Sequence, residues 1–324
     1  MPTISRVRRQ VSRLLFGSTS FPQFCNLSLA EPQSFIRVTL CGHGFESDVT
    51  GSHVIAATRP LTIAVACEDW PARRTHLVLR FHESNGQRRL LGEWKLRQLE
   101  APADDKERFR MFRPVKASNH CYSPTHAVKR RMHLVFQQWR EARSGKVVDI
   151  RMPSDELWAL FIYYICPRPV FLVSFQSEGR GNMLPMDLVG PISREHFTLA
   201  LHNTSTALPI IEKAGRVAIS SVPADQMNTA YRLGKNHRSA CIAWESLPFA
   251  VTFSESYGIP IPDFSLRVRE LQVEFIRPLG SHTFIVSKVT SDKRRAEGPQ
   301  FFQAHGCYEP WRLQGLKARP EGFA

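Results

Sequence analysis

The sequence predicts a mainly β fold in two parts, and three observations predict it. Short β-branched and aromatic runs recur along the chain, separated by glycine, proline and asparagine turn signals. Helical periodicity is confined to a few stretches, the longest after Ser123-Pro124. Prolines introduce the apolar runs instead of interrupting them, as at Pro167 and Pro169; a proline permits a strand start and disrupts a helix interior. With 324 residues, the chain can bury a substantial core as one large domain or two ordinary ones.

Residues 1–30 form a basic leader with four arginines and no acidic residue. Ile4, Val7, Val11, Leu14 and Leu15 fall near one helical face, a pattern of surface helices and transit peptides, and the apolar centre of a secretory signal is missing. A docking or disordered leader is the plainer reading. Residues 31–150 read as a β-rich extension ending in a helix. Its strands are Phe35–Leu40, Leu61–Ala66 and Thr75–Phe81, and Asn85-Gly86 joins the last of these to Arg89–Leu96 as a hairpin. A small β-sandwich is the plain reading of this part. Ala101–Lys106 is a polar loop. Ser123-Pro124 then supplies an N-cap with proline at the first helical position, and Val128, Met132, Val135, Phe136 and Trp139 recur at helical spacing up to Ser144-Gly145. The opposite face carries Lys129, Arg130, Arg131 and Arg140, a basic surface more often solvated than laid along phosphates. The domain boundary falls at 145–153, and Ser154 caps a short helix from Asp155 to Tyr163 with acids in its first turn. Residues 151–324 make the second domain. Neither an internal repeat nor a low-complexity tract is apparent.

The second domain opens with Pro167-Arg168-Pro169-Val170-Phe171-Leu172-Val173-Ser174, a strand introduced by prolines. Ser177-Glu178-Gly179-Arg180-Gly181 supplies a turn, and Asn182-Met183-Leu184-Pro185-Met186-Asp187 follows. Downstream come Ile259-Pro260-Ile261-Pro262, the strand Leu271–Phe275, Gly280-Ser281-His282-Thr283-Phe284-Ile285-Val286 and the closing His305-Gly306-Cys307-Tyr308. The order and spacing of these pieces resemble the flavin reductase-like, FMN-binding split β-barrel family over the C-terminal half. The N-terminal half resembles no family. The resemblance implies a split β-barrel preceded by the sandwich-like domain, binding of FMN with FAD as a further substrate, and hydride transfer from NADH or NADPH to flavin. It also implies a homodimer with the flavin near the interface and a partner monooxygenase as one destination for the electrons.

Composition bounds these readings. The net charge is +14, with 24 Lys and Arg against 13 Asp and Glu in residues 1–150 and 19 against 16 in the rest. The basic excess therefore belongs to the first half, where an anionic polymer or membrane surface is the rival partner. No basic and aromatic interleaving of a known nucleic-acid motif accompanies it, so nucleic acid is not the expected ligand. Seven cysteines, odd in number and without a Cys-x-x-Cys pair, argue for reduced thiols and a cytoplasmic location. The longest apolar run, Leu157–Cys166, is too short to span a membrane.

A bound flavin needs a flat platform, polar groups at its edge and donors for its phosphate; the redox chemistry is the cofactor's. The resemblance carries Asn182 and Pro185 onto the platform, with Met183, Leu184, Met186 and Asp187 following by position. Methionine and leucine pack on flat rings, although methionines filling a barrel core are the commoner arrangement. Asn203-Thr204-Ser205-Thr206, after the strand Phe197–Leu201, offer hydroxyls and an amide at a helix start for the phosphate. Here His202 stands where the family has a basic residue. The alternative is an ordinary cap. His282 matches the mouth of the family's site, where an imidazole orients a nicotinamide; a histidine at a strand start is otherwise structural. Lys235-Asn236-His237-Arg238 is a polar loop that adds charge or is solvated, and Tyr308 packs on the barrel. No Gly-x-Gly-x-x-Gly, His-Glu-x-x-His or Gly-x-Ser-x-Gly is present, and His196 with His202 lack a third metal ligand. A flavin-binding scaffold without catalysis is the remaining rival.

Overall fold

The computed structural model describes residues 24–30, 36–42, 44–70, 76–84, 89–99, 109–143 and 150–305. The helical reading of the leader, the turn at Asn85-Gly86, the loop Ala101–Lys106 and Tyr308 lie outside them. The strands are β1 (Phe24–Leu29), β2 (Ile36–Gly42), β3 (Phe45–Asp48), β4 (His53–Thr58), β5 (Leu61–Ala66), β6 (Leu77–Glu83), β7 (Leu90–Gln98) and β8 (Phe109–Asn119) in the first half. Helices α1 (Pro124–Arg143) and α2 (Ser154–Tyr163) follow. The second half holds β9 (Arg168–Pro169), β10 (Phe171–Ser177), β11 (Arg180–Met186), β12 (Val189–Pro191), β13 (His196–His202), α3 (Leu208–Ala214), β14 (Arg216–Ser221), α4 (Met227–Arg232), β15 (Val251–Phe253), β16 (Pro260–Pro262), β17 (Arg267–Leu279), β18 (His282–Arg294) and β19 (Gln300–His305).

Both halves are mainly β. The C-terminal half forms one seven-stranded antiparallel sheet in the order β11-β10-β14-β17-β18-β13-β12. β11 and β12 act as one kinked strand: β11 pairs with β10, while past the kink Leu188 O accepts from Ala200 N–H and β12 pairs with β13. Bonding two different strands at its two ends lets this segment close the sheet into a barrel. The barrel is filled by alternating inward residues such as Phe171, Val173, Phe175, Leu199 and Ile285, with Leu208 and Ile211 of α3 as a plug.

The sandwich-like first half proves to be a single sheet too, in the order β3-β2-β6-β7-β8-β5-β4. Its kinked segment runs through β3 and β4, with Val49 N–H donating to Val38 O and Ser52 O accepting from Ala66 N–H. The two sheets share one connectivity, so a structural repeat exists where the sequence displays none. Sheet pairing requires apolar alternation and turns, which many residue choices satisfy. The plug of the first barrel is α2, whose Phe161, Ile162 and Tyr163 join Phe81, Trp94 and Phe112 in one core; Tyr163 stacks on Trp94 at 6.2 Å. Arg168 ties the halves together: its guanidinium lies 3.6 Å over the Tyr163 ring and meets His53 Nε2.

Two helical expectations change. The row Val128, Met132, Val135, Phe136 and Trp139 faces solvent, while Leu134 is the apolar residue of α1 that is buried. The helix lies on the body by a narrow edge, so its apolar stripe has no described core to enter. Ser154 is the first residue of α2 and makes no capping bond, Pro153 standing at the cap position.

Candidate functional site

His202 and His282 face each other across the β13–β18 ladder, with ring centroids 5.8 Å apart. The loop after β13 is a tied turn. His202 Nδ1 lies 2.5 Å from Thr204 Oγ1, and Ser205 N–H donates to His202 O at 2.8 Å. Asn203 fastens this turn to the one between β17 and β18: its Nδ2 donates to Gly280 O at 2.7 Å, and its Oδ1 accepts from Thr283 Oγ1 at 2.9 Å. Asn203, Thr204 and Thr206 are exposed and Ser205 is half-buried. The four residues expected to meet a phosphate, and His282, thus come together at one corner of the barrel.

That corner is covered by the first half of the chain. Ser281 Oγ lies 2.8 Å from His282 Nδ1, Thr58 N–H points to the same nitrogen at 3.5 Å, and Arg59 N–H donates to Ser281 Oγ at 3.0 Å while its carbonyl accepts from Ser281 N–H at 2.7 Å. Gly280 takes φ +54°, and a Cβ there would sit 2.3 Å from Arg59 O. Burial, helped by the neighbouring His202, lowers the His282 pKa to about 4. The imidazole is therefore neutral near pH 7; with Nδ1 facing two donors, the tautomer that fits carries its proton on Nε2.

The other expected residues divide between interior and rim. Asn182, Met183 and Leu184 are fully buried. Asn182 Nδ2 donates to the carbonyls of Asn236 (3.0 Å) and Ser239 (2.6 Å), and its Oδ1 accepts from Met183 N–H. Its amide pins the turn that carries Lys235, His237 and Arg238 and is not offered to a cleft. Met183 packs with Leu172, Val222 and Phe301, while Leu184 and Met186 point into the barrel core. Pro185 and Asp187 sit at the kink, half-buried, where Pro185 O meets His237 Nε2 at 2.9 Å and Asp187 accepts from Tyr164 Oη at 2.5 Å. Burial pushes the Asp187 carboxyl up despite that bond. The Leu188–Ala200 bond links this kink to the strand leading into Asn203–Thr206.

A cleft lies elsewhere. With a volume of about 1480 Å³, it separates the two halves, is lined among others by Trp70, Phe109, Arg110, Arg194 and Phe197, and touches none of the expected site residues. Sequence reasoning missed Thr58, Arg59 and this cleft, since both depend on how the halves dock. Among the described residues no group of His, Cys, Asp and Glu could hold a metal, and no described helix is long and apolar enough to cross a membrane.

A closed antiparallel barrel with a polar corner of hydroxyls, amides and paired imidazoles belongs to the split β-barrel class of folds. Its second half can be assigned further: residues 162–308 match the model of the flavin reductase like domain. No curated protein matches the chain. Among solved structures, it is similar to an FMN-binding protein from Thermus thermophilus with bound p-hydroxybenzaldehyde, at 18% identity and TM-score 0.41 over 56% of this chain and 98% of that one. It is also similar to an NADH:FAD oxidoreductase of Streptomyces globisporus, at 14% identity and TM-score 0.42 over 55% and 99%. A third is the styrene monooxygenase flavin reductase of Pseudomonas putida S12, at 16% and 0.38 over 44% and 90%.

Proposed function

We propose that the protein binds FMN and passes hydride from NADH or NADPH to flavin, serving as the reductase for an acceptor such as a partner monooxygenase. The observation that carries this reading is the flavin reductase like domain over residues 162–308. The residues present fit the cofactor: the exposed turn Asn203–Thr206 offers amide and hydroxyl groups at the rim of a closed barrel. They hold the phosphate, and the Pro185–Asp187 kink borders the ring, with Asn182, Met183 and Leu184 as the packed layer beneath. Flavin, when bound, supplies a hydride-accepting ring nitrogen. His282, neutral and fixed by Ser281, donates from Nε2 to a carboxamide and so orients the nicotinamide. With no strong acid or base required, positioning supplies most of the rate.

Purified protein should show flavin absorbance or gain it on titration with FMN, and should then oxidise NADH or NADPH. Failure to bind FMN in such a titration would sink the reading. Flavin binding without nicotinamide oxidation would leave a carrier or scaffold. A second reading is favoured by α1, whose exposed Val128, Met132, Phe136 and Trp139 stand beside Lys129 and Arg131. Such a face suits an anionic membrane surface. Salt-sensitive co-sedimentation with phosphatidylserine vesicles, lost in Phe136→Ser, would support it; no association at low salt would exclude it.

A further inference from the structure

The two barrels correspond strand by strand. In chain order, β2 to β8 match β10, β11, β12, β13, β14, β17 and β18. In each set the first strand pairs with the second and fifth, the third with the fourth, the fourth with the seventh, and the sixth with the fifth and seventh, always antiparallel. The first hairpin has the same two-residue loop in both, closing Gly42 on Phe45 and Ser177 on Arg180. Glycine holds its second position at φ +77° (Gly44) and +73° (Gly179). The kinked closing segments correspond as well. Seven strands joined by allowed connections could take several orders, and this chain uses one order twice.

The barrels also meet through corresponding surfaces. Val54, Ala64 and Met111 of the first pack with Ile192, Ala200 and Phe284 of the second. Ala64 is paired with Met111, and Ala200, on the matching strand, with Phe284. One patch facing its own counterpart is the arrangement of a two-fold dimer, realised here inside one chain.

The two ligand corners have diverged. The last pair of β5 with β8 is Ala66 with Phe109, and the last of β13 with β18 is His202 with His282. The loop that follows reads Cys67-Glu68-Asp69-Trp70 in the first barrel and Asn203-Thr204-Ser205-Thr206 in the second. The first loop carries two carboxylates and the second three hydroxyls, and carboxylates repel phosphate. The first barrel's corner opens into the cleft, where the second barrel's Ser193, Arg194 and Glu195 form the far wall. The second barrel's corner is walled by the matching turn of the first, Thr58-Arg59-Pro60.

We propose that the chain is a covalent pseudo-dimer: the barrel of residues 36–119 occupies the place of a second subunit, walls the His282 corner, and has lost its own phosphate loop, leaving one flavin position per chain. The flavin half of this statement rests on the function proposed above; the paired barrels do not. A built-in partner takes the place of the homodimer that the family resemblance implies.

Sedimentation equilibrium of the full chain at micromolar concentration tests the pairing independently of any ligand. A mass near 37 kDa is expected, and a stable species of twice that mass would overturn the internal pairing. FMN titration followed by flavin fluorescence should saturate at one FMN per chain. Two would overturn the loss of the first site, and none would remove the flavin half while the mass still decides the pairing. Arg59→Glu, an exposed change on the covering turn, should weaken FMN several-fold without altering the mass. Unchanged affinity would show that the first barrel does not wall the site.

Discussion

Asn182 holds two carbonyls from a turn more than fifty residues away, and its removal leaves Ser239 O without its donor while Asn236 O keeps the Ser239 N–H. A buried group so abandoned costs roughly 1–3 kcal/mol, so Asn182→Ala should lower the urea-unfolding free energy by about 1–3 kcal/mol. An unchanged midpoint would contradict the pinning role. His282 sets a pH dependence of definite sign. Its pKa falls from the unfolded value of about 6.5 to about 4 in the fold, so the unfolded chain binds the proton first. Stability is then lost as pH drops from about 6.5 toward 4, by ~3 kcal/mol from this group. His53, buried beside Arg168, adds in the same direction. Denaturation midpoints measured across that range should decline, and His282→Gln should flatten part of the decline. The motif around Asn182 and Pro185 was legible because its residues are adjacent. The burial of Asn182 was not, since its partners arrive from a distant turn.

At the scale of elements, the turns separate two effects of glycine. Gly179 and Gly280 both hold positive φ, but a Cβ at Gly179 meets nothing within 4 Å, whereas at Gly280 it meets Arg59 O and Pro60. Gly179→Ala should cost about 1 kcal/mol, the backbone penalty alone. Gly280→Ala should cost clearly more, because the covering turn must also shift, and thermal melting of the two variants checks the order. Strands such as Leu61–Ala66 were legible from β-branched runs, and α1 from its cap and periodicity. The orientation of α1 was not, because an apolar stripe states which face is greasy and leaves open whether anything covers it.

For the molecule as a whole, the shared apolar cluster between the barrels and the passage of α2 into the first core make two sheets one unit. A single unfolding transition is therefore expected by calorimetry, and Ala200→Asp, which places a charge in the seam, should split or broaden it. Two well-separated transitions in the unaltered chain would show the barrels to be independent. The second barrel was legible through its motif order. The first carried the same fold under different side chains: Ile36, Val38 and Leu40 do for β2 what Phe171, Val173 and Phe175 do for β10. Equal burial with unequal residues hides a repeat from any reading of letters.

The ribbon that joins the ends of the described chain has a temporal meaning. Phe24 is paired with His305 and Leu29 with Gln300, so the earliest described strand to leave the ribosome has its mate among the last. At synthesis rates of about 5–20 residues per second, that edge waits on the order of tens of seconds, its amides unclaimed while everything between them is made. Seating it is the closing act of assembly, and a nascent protein caught before that moment would carry a loose sticky margin that the finished one has put away.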